Sequence, residues 1–354
     1  MGKVKSFLKR KNIVFSAKKY FIDAMSAMAN GLFASLLIGT IISTIGQQCK
    51  LQLLIDIGGF AKGVAGPAMA VSIAYALSAP PLVLFSLAAV GAAANSYGGA
   101  GGPLAVFFIA IIATELGKIV SKETKIDILV TPLVTILSGG LLSYYLAPWI
   151  GKAASSTGSL IMWATELHPF MMGVIVSVVV GVVLTLPISS AAICMALGLT
   201  GLAGGAAVAG CSAQMIGFAV MSYRENKVGG LISQGLGTSM LQMPNIVKKP
   251  IIWLPPTLAA AITGPIATCL FQLKMNGEAI ASGMGTCGLV GQIGVYTGWL
   301  NDIAAGTKAS ITAMDWLGLI LICFVLPAVL SEIFCLILRK AGLIKPNDLK
   351  LENM

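Results

Sequence analysis

The chain has 354 residues, of which 57% are hydrophobic and only 10% charged, with a mean hydropathy of +0.91 and a net charge of +10. A soluble protein carries about a quarter of its residues as charged side chains, so a water-facing surface is excluded and the bilayer must be the solvent. The excess positive charge is a topology signal by its placement, and no nucleic-acid partner is expected.

The first element is basic. MGKVKSFLKRKNIVFSAKKYF holds seven of the 23 Lys and Arg residues before any apolar run begins. No apolar core follows the first charges, so no cleaved signal peptide is expected. Residues 1–22 read instead as an amphipathic helix on the anionic cytoplasmic face. Residues 23–340 read as one membrane domain. The basic stretch RKAGLIKPNDLKLENM predicts a short cytoplasmic tail over 341–354, so both termini are expected inside a multi-pass protein.

Spans are predicted near Met25–Gly46 and Leu53–Ala76, followed by an apolar hairpin, Leu82–Ala94, closed by YGGAGGP. A span over Leu104–Val120 meets the charged turn SKETK, and Ile126–Ile150 forms the next. Gly151–Glu166 is weakly amphipathic and is expected along the surface. Pro169–Leu186 is a span broken by Pro187, and the Ala/Gly-rich region Ala191–Val220 leads to the charged turn SYRENK. Beyond LISQGLGTSMLQMPNIVKKP (Leu231–Pro250) come a span near Ile251–Leu273, a glycine-rich segment Ala279–Trp299 and a last span Trp316–Leu338. At roughly 20 residues per span, this is an all-α polytopic membrane protein with about eight to ten transmembrane helices. A barrel would alternate in short strands instead.

Glycine (41 residues) and proline interrupt these apolar runs. Small residues serve close helix packing. Combined with proline and uncharged hydrogen-bonding side chains, they also predict re-entrant hairpins, tolerated at membrane depth only where backbone is buried in protein or lines a wet cavity. Leu231–Pro250 fits that description better than it fits a solvent loop.

Charges within apolar runs are few. Glu115 and Lys118, three residues apart, are expected to pair. Asp56 and Lys62 are placed at an interface, and Glu332 lies within snorkelling reach of Arg339 and Lys340. No proton-relay chain results. The single His168 excludes a histidine metal cluster, and the seven scattered cysteines suggest neither disulfide framework nor zinc site. YGGAGGP lacks the Gly-Lys-Ser/Thr of a P-loop, so ATP-driven pumping is not expected. No cofactor, metal or self-contained catalytic site is predicted. A charge-poor interior suits a neutral polyol bound by amides, hydroxyls and backbone groups.

Four stretches carry a resemblance. IDILVTPLVTILSGGLLSYYLAPWIGK (Ile126–Lys152), HPFMMGVIVSVVVGVVLTLPISSAA (His168–Ala192), AAVAGCSAQMIG (Ala206–Gly217) and Leu231–Pro250 resemble, in order, motifs of the fructose- and mannitol-type enzyme IIC subunits of the bacterial sugar phosphotransferase system. The family's acidic Thr-Glu-Gly residue falls on Gln234, its Asp before the last Pro on Met243, and its Asn-Lys on Ser189-Ser190. Its Asp-Arg-Pro-Gly turn becomes Ser78-Ala79-Pro80-Pro81. These departures resemble the divergent branch that includes perfringolysin O regulator-type membrane proteins. No attached IIA or IIB phosphocarrier domain is expected.

The resemblance implies a homodimer in the bacterial plasma membrane with alternating access around a sugar site. It implies a permease for a sugar or polyol, bound at mid-membrane and phosphorylated by separate soluble IIA and IIB proteins. The alternative is a membrane sensor that keeps the permease fold without phosphorylation; an ion-coupled secondary transporter is a third reading. The expected solute-binding residues are Gln234, Thr238, Ser239, Gln242 and Asn245, faced by Ser189, Ser190 and Gln214. An amide at 234 keeps one acceptor and gains donors, but it is no base, so binding could survive a change that compromises phosphorylation.

Overall fold

A computed structural model describes residues 2–351. The chain divides into two compact units, Met1–Ala154 and Ser155–Met354, the division falling inside one long helix. Among the described residues, six helices are long and apolar enough to cross a membrane, or up to seven if a bent pair is one span.

In the first unit, the short basic helix α1 (Gly2–Arg10) precedes α2 (Ala24–Leu32) and α3 (Ile38–Cys49), which a π-helical turn at Phe33–Leu37 joins into one run. This run doubles back on α4 (Gln52–Gly63) and α5 (Ala65–Ala76), themselves bent by 46°. Gly46 lies against Ile55, Gly39 against Gly58, and Gly31 against Ala68, which fixes the antiparallel register. The predicted second span is therefore a broken one.

The apolar hairpin expected within Leu82–Ala94 takes another form. Residues 81–98 make the single helix α6 (Pro81–Gly98), started by Pro81, and the reversal comes at Gly99–Gly101 before α7 (Gly102–Val120). Gly98 faces Ala105 while Gly117 faces Val83, so the 40-residue apolar run is two antiparallel helices, each about 27 Å long. Gly99 has φ +50°, which a residue bearing Cβ rarely adopts.

The turn after α7 anchors the N-terminal segment. Arg10 pairs with Glu123 at 2.7 Å, and Lys11 donates to the Ser121 carbonyl. Lys118 and Glu115 pair as the spacing predicted, at 3.1 Å, and Lys118 also donates to the Asn12 and Leu77 carbonyls.

Helix α8 (Asp127–Thr165) corrects another expectation. Gly151–Glu166 is no separate surface segment; through Thr165 it continues the helix that starts at Asp127, 39 residues in all. Gly151 and Gly158 weaken it without breaking it before Thr165, since the Ala, Ser, Leu, Ile and Met residues around them all tolerate helix.

The second unit holds α9 (Pro169–Thr185), α10 (Ser190–Ala196), α11 (Gly201–Met221), α12 (Tyr223–Ile232), α13 (Met243–Lys248), α14 (Leu254–Pro265), α15 (Val290–Ala304), α16 (Ala313–Ile320) and α17 (Leu326–Lys340). Helix α11 is its axis, buried along almost its whole length. The Ala/Gly sequence explains why: a methyl on Gly210 would overlap the Ser177 carbonyl of α9, and one on Gly205 would overlap the Leu273 carbonyl. Small residues here bring backbones together. Around α11, large apolar side chains of α14, α16 and α17 such as Leu258, Ile320, Val329 and Ile337 are exposed, as lipid contact requires.

Candidate functional site: two hairpin tips beside α11

Leu231–Pro250 is not a solvent loop. A π-helical turn (Ser233–Gly237), an extended Thr238, a 3₁₀ turn (Ser239–Gln242) and α13 follow one another, and most of these side chains are buried. Gln234 and Gln242 lie on opposite legs and are joined at 2.8 Å, so the segment is a hairpin with its tip at Thr238-Ser239. The tip reaches inward. Ser239 Oγ lies 2.8 Å from Thr185 Oγ1, and Thr185 lies 3.4 Å from Gln214 Oε1. Gln214 is seven residues before the end of α11, about 10 Å in from that end.

A second hairpin enters from the other end of the unit. Gly277 lies against Gly294, Asn276 against Gly298, and Gly285 against Gly291, pairing its legs over 276–298. Its tip turns through Gly285 (φ +53°), Gly288 (φ +52°) and Leu289 (φ +60°). Left-handed backbone at a non-glycine residue is uncommon and concentrates at functional sites. The tip rests on Cys211 and Ser212 of α11. The two tips meet where Thr286 donates to the Gly235 carbonyl at 2.5 Å.

The eight sequence-predicted residues fall in three places. Ser239 and Gln214, both buried, join a polar cluster with half-buried partners: Gln214 Oε1 accepts from Trp253 Nε1 at 3.1 Å, and Gln214 Nε2 donates to Thr257 Oγ1 at 3.1 Å. Thr238 sits beside them, its hydroxyl accepting from the Met240 amide. Gln234, Gln242 and Asn245 form a second chain. Gln234 Nε2 donates to Ser222 Oγ and the Gly230 carbonyl, both at 2.9 Å, while Asn245 donates to Gln242 Oε1 at 2.8 Å. That chain ends on the C-terminal segment, where Gln242 donates to the Leu349 carbonyl and Asn245 to the Lys350 carbonyl. Ser189 and Ser190 stand apart from both: Ser189 caps α10, and Ser190 donates to the Gly283 carbonyl at 2.7 Å.

Several residues of this centre were not on the sequence-derived list. Thr185, Trp253 and Thr257 complete the Gln214 cluster. Ser212 accepts from Gln292 Nε2 at 3.2 Å, and the buried Gln292 Oε1 has no hydrogen-bond partner among the described residues. Thr185 and Trp253 flank prolines that interrupt helices, a usable signal; Gln292 was hidden in a glycine-rich apolar run.

The tail belongs to the fold. Asn226 donates to the Leu349 carbonyl and accepts from the Leu351 amide, as a neighbouring strand would, and Lys249 pairs with Asp348. Ile344, Leu349 and Leu351 are buried. Glu332 pairs with Arg224 at 3.6 Å, while Arg339 is drawn to the buried Glu225 at 2.9 Å. This end of the unit gathers Arg224, Lys227, Lys248, Lys249, Arg339, Lys340, Lys345 and Lys350, whereas Lys274 and Lys308 mark the opposite end.

Among the described residues no group of His, Cys, Asp and Glu could hold a metal ion. The centre instead presents amides and hydroxyls in a low-dielectric interior, a donor set suited to an uncharged hydroxyl-bearing solute. No curated protein and no solved structure matches the chain. A family model described as phosphotransferase system, EIIC, matches residues 22–351. That match covers nearly the whole chain and agrees with its all-helical, membrane-spanning frame, so the chain belongs to the phosphotransferase system EIIC family, the integral membrane permease components of sugar uptake.

Proposed function

We propose that this chain binds a neutral sugar or polyol between the two hairpin tips and passes it across the membrane for phosphorylation by separate soluble IIA and IIB proteins. The observation that carries the proposal is the uncharged cluster about 10 Å into α11, in which Ser239, Thr185 and Gln214 are buried and Thr257 and Trp253 are half-buried. Thr238, Ser239 and Gln214 contact the solute, and Gln292 offers an unused acceptor across the tips. Gln234, Gln242 and Asn245 fasten the hairpin legs, and Ser189 and Ser190 fasten the break after α9. Hairpins entering from opposite ends suit alternating access, because each can yield on its own side.

The concentration of Lys and Arg at the tail end supports a cytoplasmic placement of the C-terminus, and the basic segment before the first apolar run supports the same for the N-terminus. A homodimer and the fructose or mannitol class of solute rest on the motif resemblance alone. Membrane vesicles holding the protein, phosphoenolpyruvate and the phosphocarriers provide the test, with D-fructose and D-mannitol as probes. The proposal expects accumulation of the sugar phosphate; no phosphoenolpyruvate-dependent accumulation refutes it.

One observation favours a non-phosphorylating sensor. Gln234 stands where the resembling subunits carry an acid, and its amide is committed to Ser222, Gly230 and Gln242. Sugar binding without phosphate-coupled accumulation supports that reading.

A further inference from the structure

At the end of the second unit opposite the tail lies a cavity of about 440 Å³, within the range of small-molecule sites. It is walled by the base of the second hairpin (Lys274, Asn276), the end of α15 (Trp299, Asp302) and the approach to α16 (Lys308, Asp315). We propose that it is a first binding station for a neutral, hydroxyl-rich solute, distinct from the buried cluster at the hairpin tips. The proposal rests on the permease reading.

Three features point to that ligand class. The wall carries two lysines and two aspartates, so its formal charges balance and neither an anion nor a cation is favoured. Its polar groups are held in place: Asn276 Nδ2 donates to both Asp302 oxygens at 3.0 Å, and Lys308 pairs with Asp315 at 2.8 Å. The Asp302 carboxylate retains further lone pairs, as strong acceptors for paired hydroxyls. Trp299, almost wholly buried against Trp316 and Tyr296 with ring centroids at 5.3 and 6.5 Å, adds a small apolar patch to the wall. An apolar patch beside carboxylate and amide suits a ring with apolar C–H edges and a polar rim.

The position fits a relay. Asp302 and Gln292 lie on the same helix, ten residues apart, so the cavity stands about 15 Å along α15 from the unpartnered acceptor at the tips. A solute held there is about two-thirds of the length of α15 from the buried centre.

The test reads occupancy without transport. Thr307, exposed at the cavity rim, is replaced by cysteine in a background with the exposed Cys49 and Cys269 changed to serine. Its labelling by N-ethylmaleimide is followed with D-fructose or D-mannitol present. The expected result is labelling slowed at least about threefold at saturating sugar, with protection weakened about tenfold in apparent affinity by Asp302→Ala, the loss of one charge-assisted hydrogen bond. Should Asp302→Ala fail to fold, Lys274→Gln is the second variant and is expected to weaken protection in the same direction. Protection by neither sugar overturns the proposal. So does protection that survives Asp302→Ala but disappears with Gln214→Leu, which places the solute at the buried cluster alone. Because labelling needs no uptake, protection in a protein that accumulates no sugar phosphate upholds the station while refuting the permease reading.

Discussion

Replacing Gln234 with alanine removes the fastening of the first hairpin. The side chain is fully buried and makes three hydrogen bonds. Its loss strands Ser222 Oγ, while the Gly230 carbonyl keeps the Ser233 amide and Gln242 keeps its bond to the Leu349 carbonyl. Leaving buried partners unsatisfied costs about 1–3 kcal/mol, and the void adds to it, for a total of about 3 kcal/mol. For a unit of this size, that lowers Tm by about 6–12 °C. A thermal melt of the purified protein in detergent reads the shift. Tryptic cleavage after Lys350, followed by intact mass, reads the tail, because the Gln234–Gln242–Asn245 chain ends on the Leu349 and Lys350 carbonyls. Faster cleavage is expected alongside the lower Tm. An unchanged melt with unchanged cleavage refutes the fastening role.

Other perturbations reach different parts of the second unit. Arg339→Ala leaves Glu225 buried without its partner and is expected to cost about 3–5 kcal/mol, read as a large fall in Tm. Gly210→Val pushes into the Ser177 carbonyl and is expected to destabilise by about 1–3 kcal/mol or more, seen as lost folded yield in detergent. Burial opposes ionisation of Asp348, but hydrogen bonds from Lys249 and the Lys345 amide outweigh it and hold its pKa below the ordinary 3.8. A carboxyl whose folded pKa is depressed contributes stability that is full above its unfolded value and lost as pH falls through the folded one. Tryptic release cannot be followed at such pH, so pepsin cleavage of the tail is the measurement. It is expected to rise below about pH 4 in the wild type and to show no such acid step in Asp348→Asn.

The helical membrane frame was legible because long apolar runs with few charges have one physical solution. The buried hairpin at Leu231–Pro250 was legible too, since glycine, proline and amides together mark irregular backbone in protein. What the sequence concealed was division of labour. Gln234, Ser239 and Ser189 look alike as polar residues near helix breaks. One fastens legs, one reaches the α11 cluster, and one caps a short helix, as only three-dimensional pairing decides. The glycine-rich break at Tyr97–Pro103 was legible, but a hairpin was expected within Leu82–Ala94, where uniform hydropathy does not distinguish two short legs from the single helix α6. The continuation of α8 past Gly151 was missed because weak amphipathicity does not stop a helix without a breaker. The tail read only as a short basic cytoplasmic segment because its charges dominate its composition, yet Ile344, Leu349 and Leu351 are buried in the unit.

The central claim, that solute binds where the two hairpin tips meet α11, is tested most directly by phosphoenolpyruvate-dependent uptake of D-fructose or D-mannitol into vesicles carrying Ser239→Ala. Ser239 makes its tip contact with Thr185 at 2.8 Å, and the variant leaves the leg-fastening amides in place. The account predicts wild-type accumulation of the sugar phosphate and, in the variant, an uptake KM raised about tenfold or more with a Tm lowered by no more than about 2–6 °C. Wild-type KM in a correctly folded Ser239→Ala protein would contradict it.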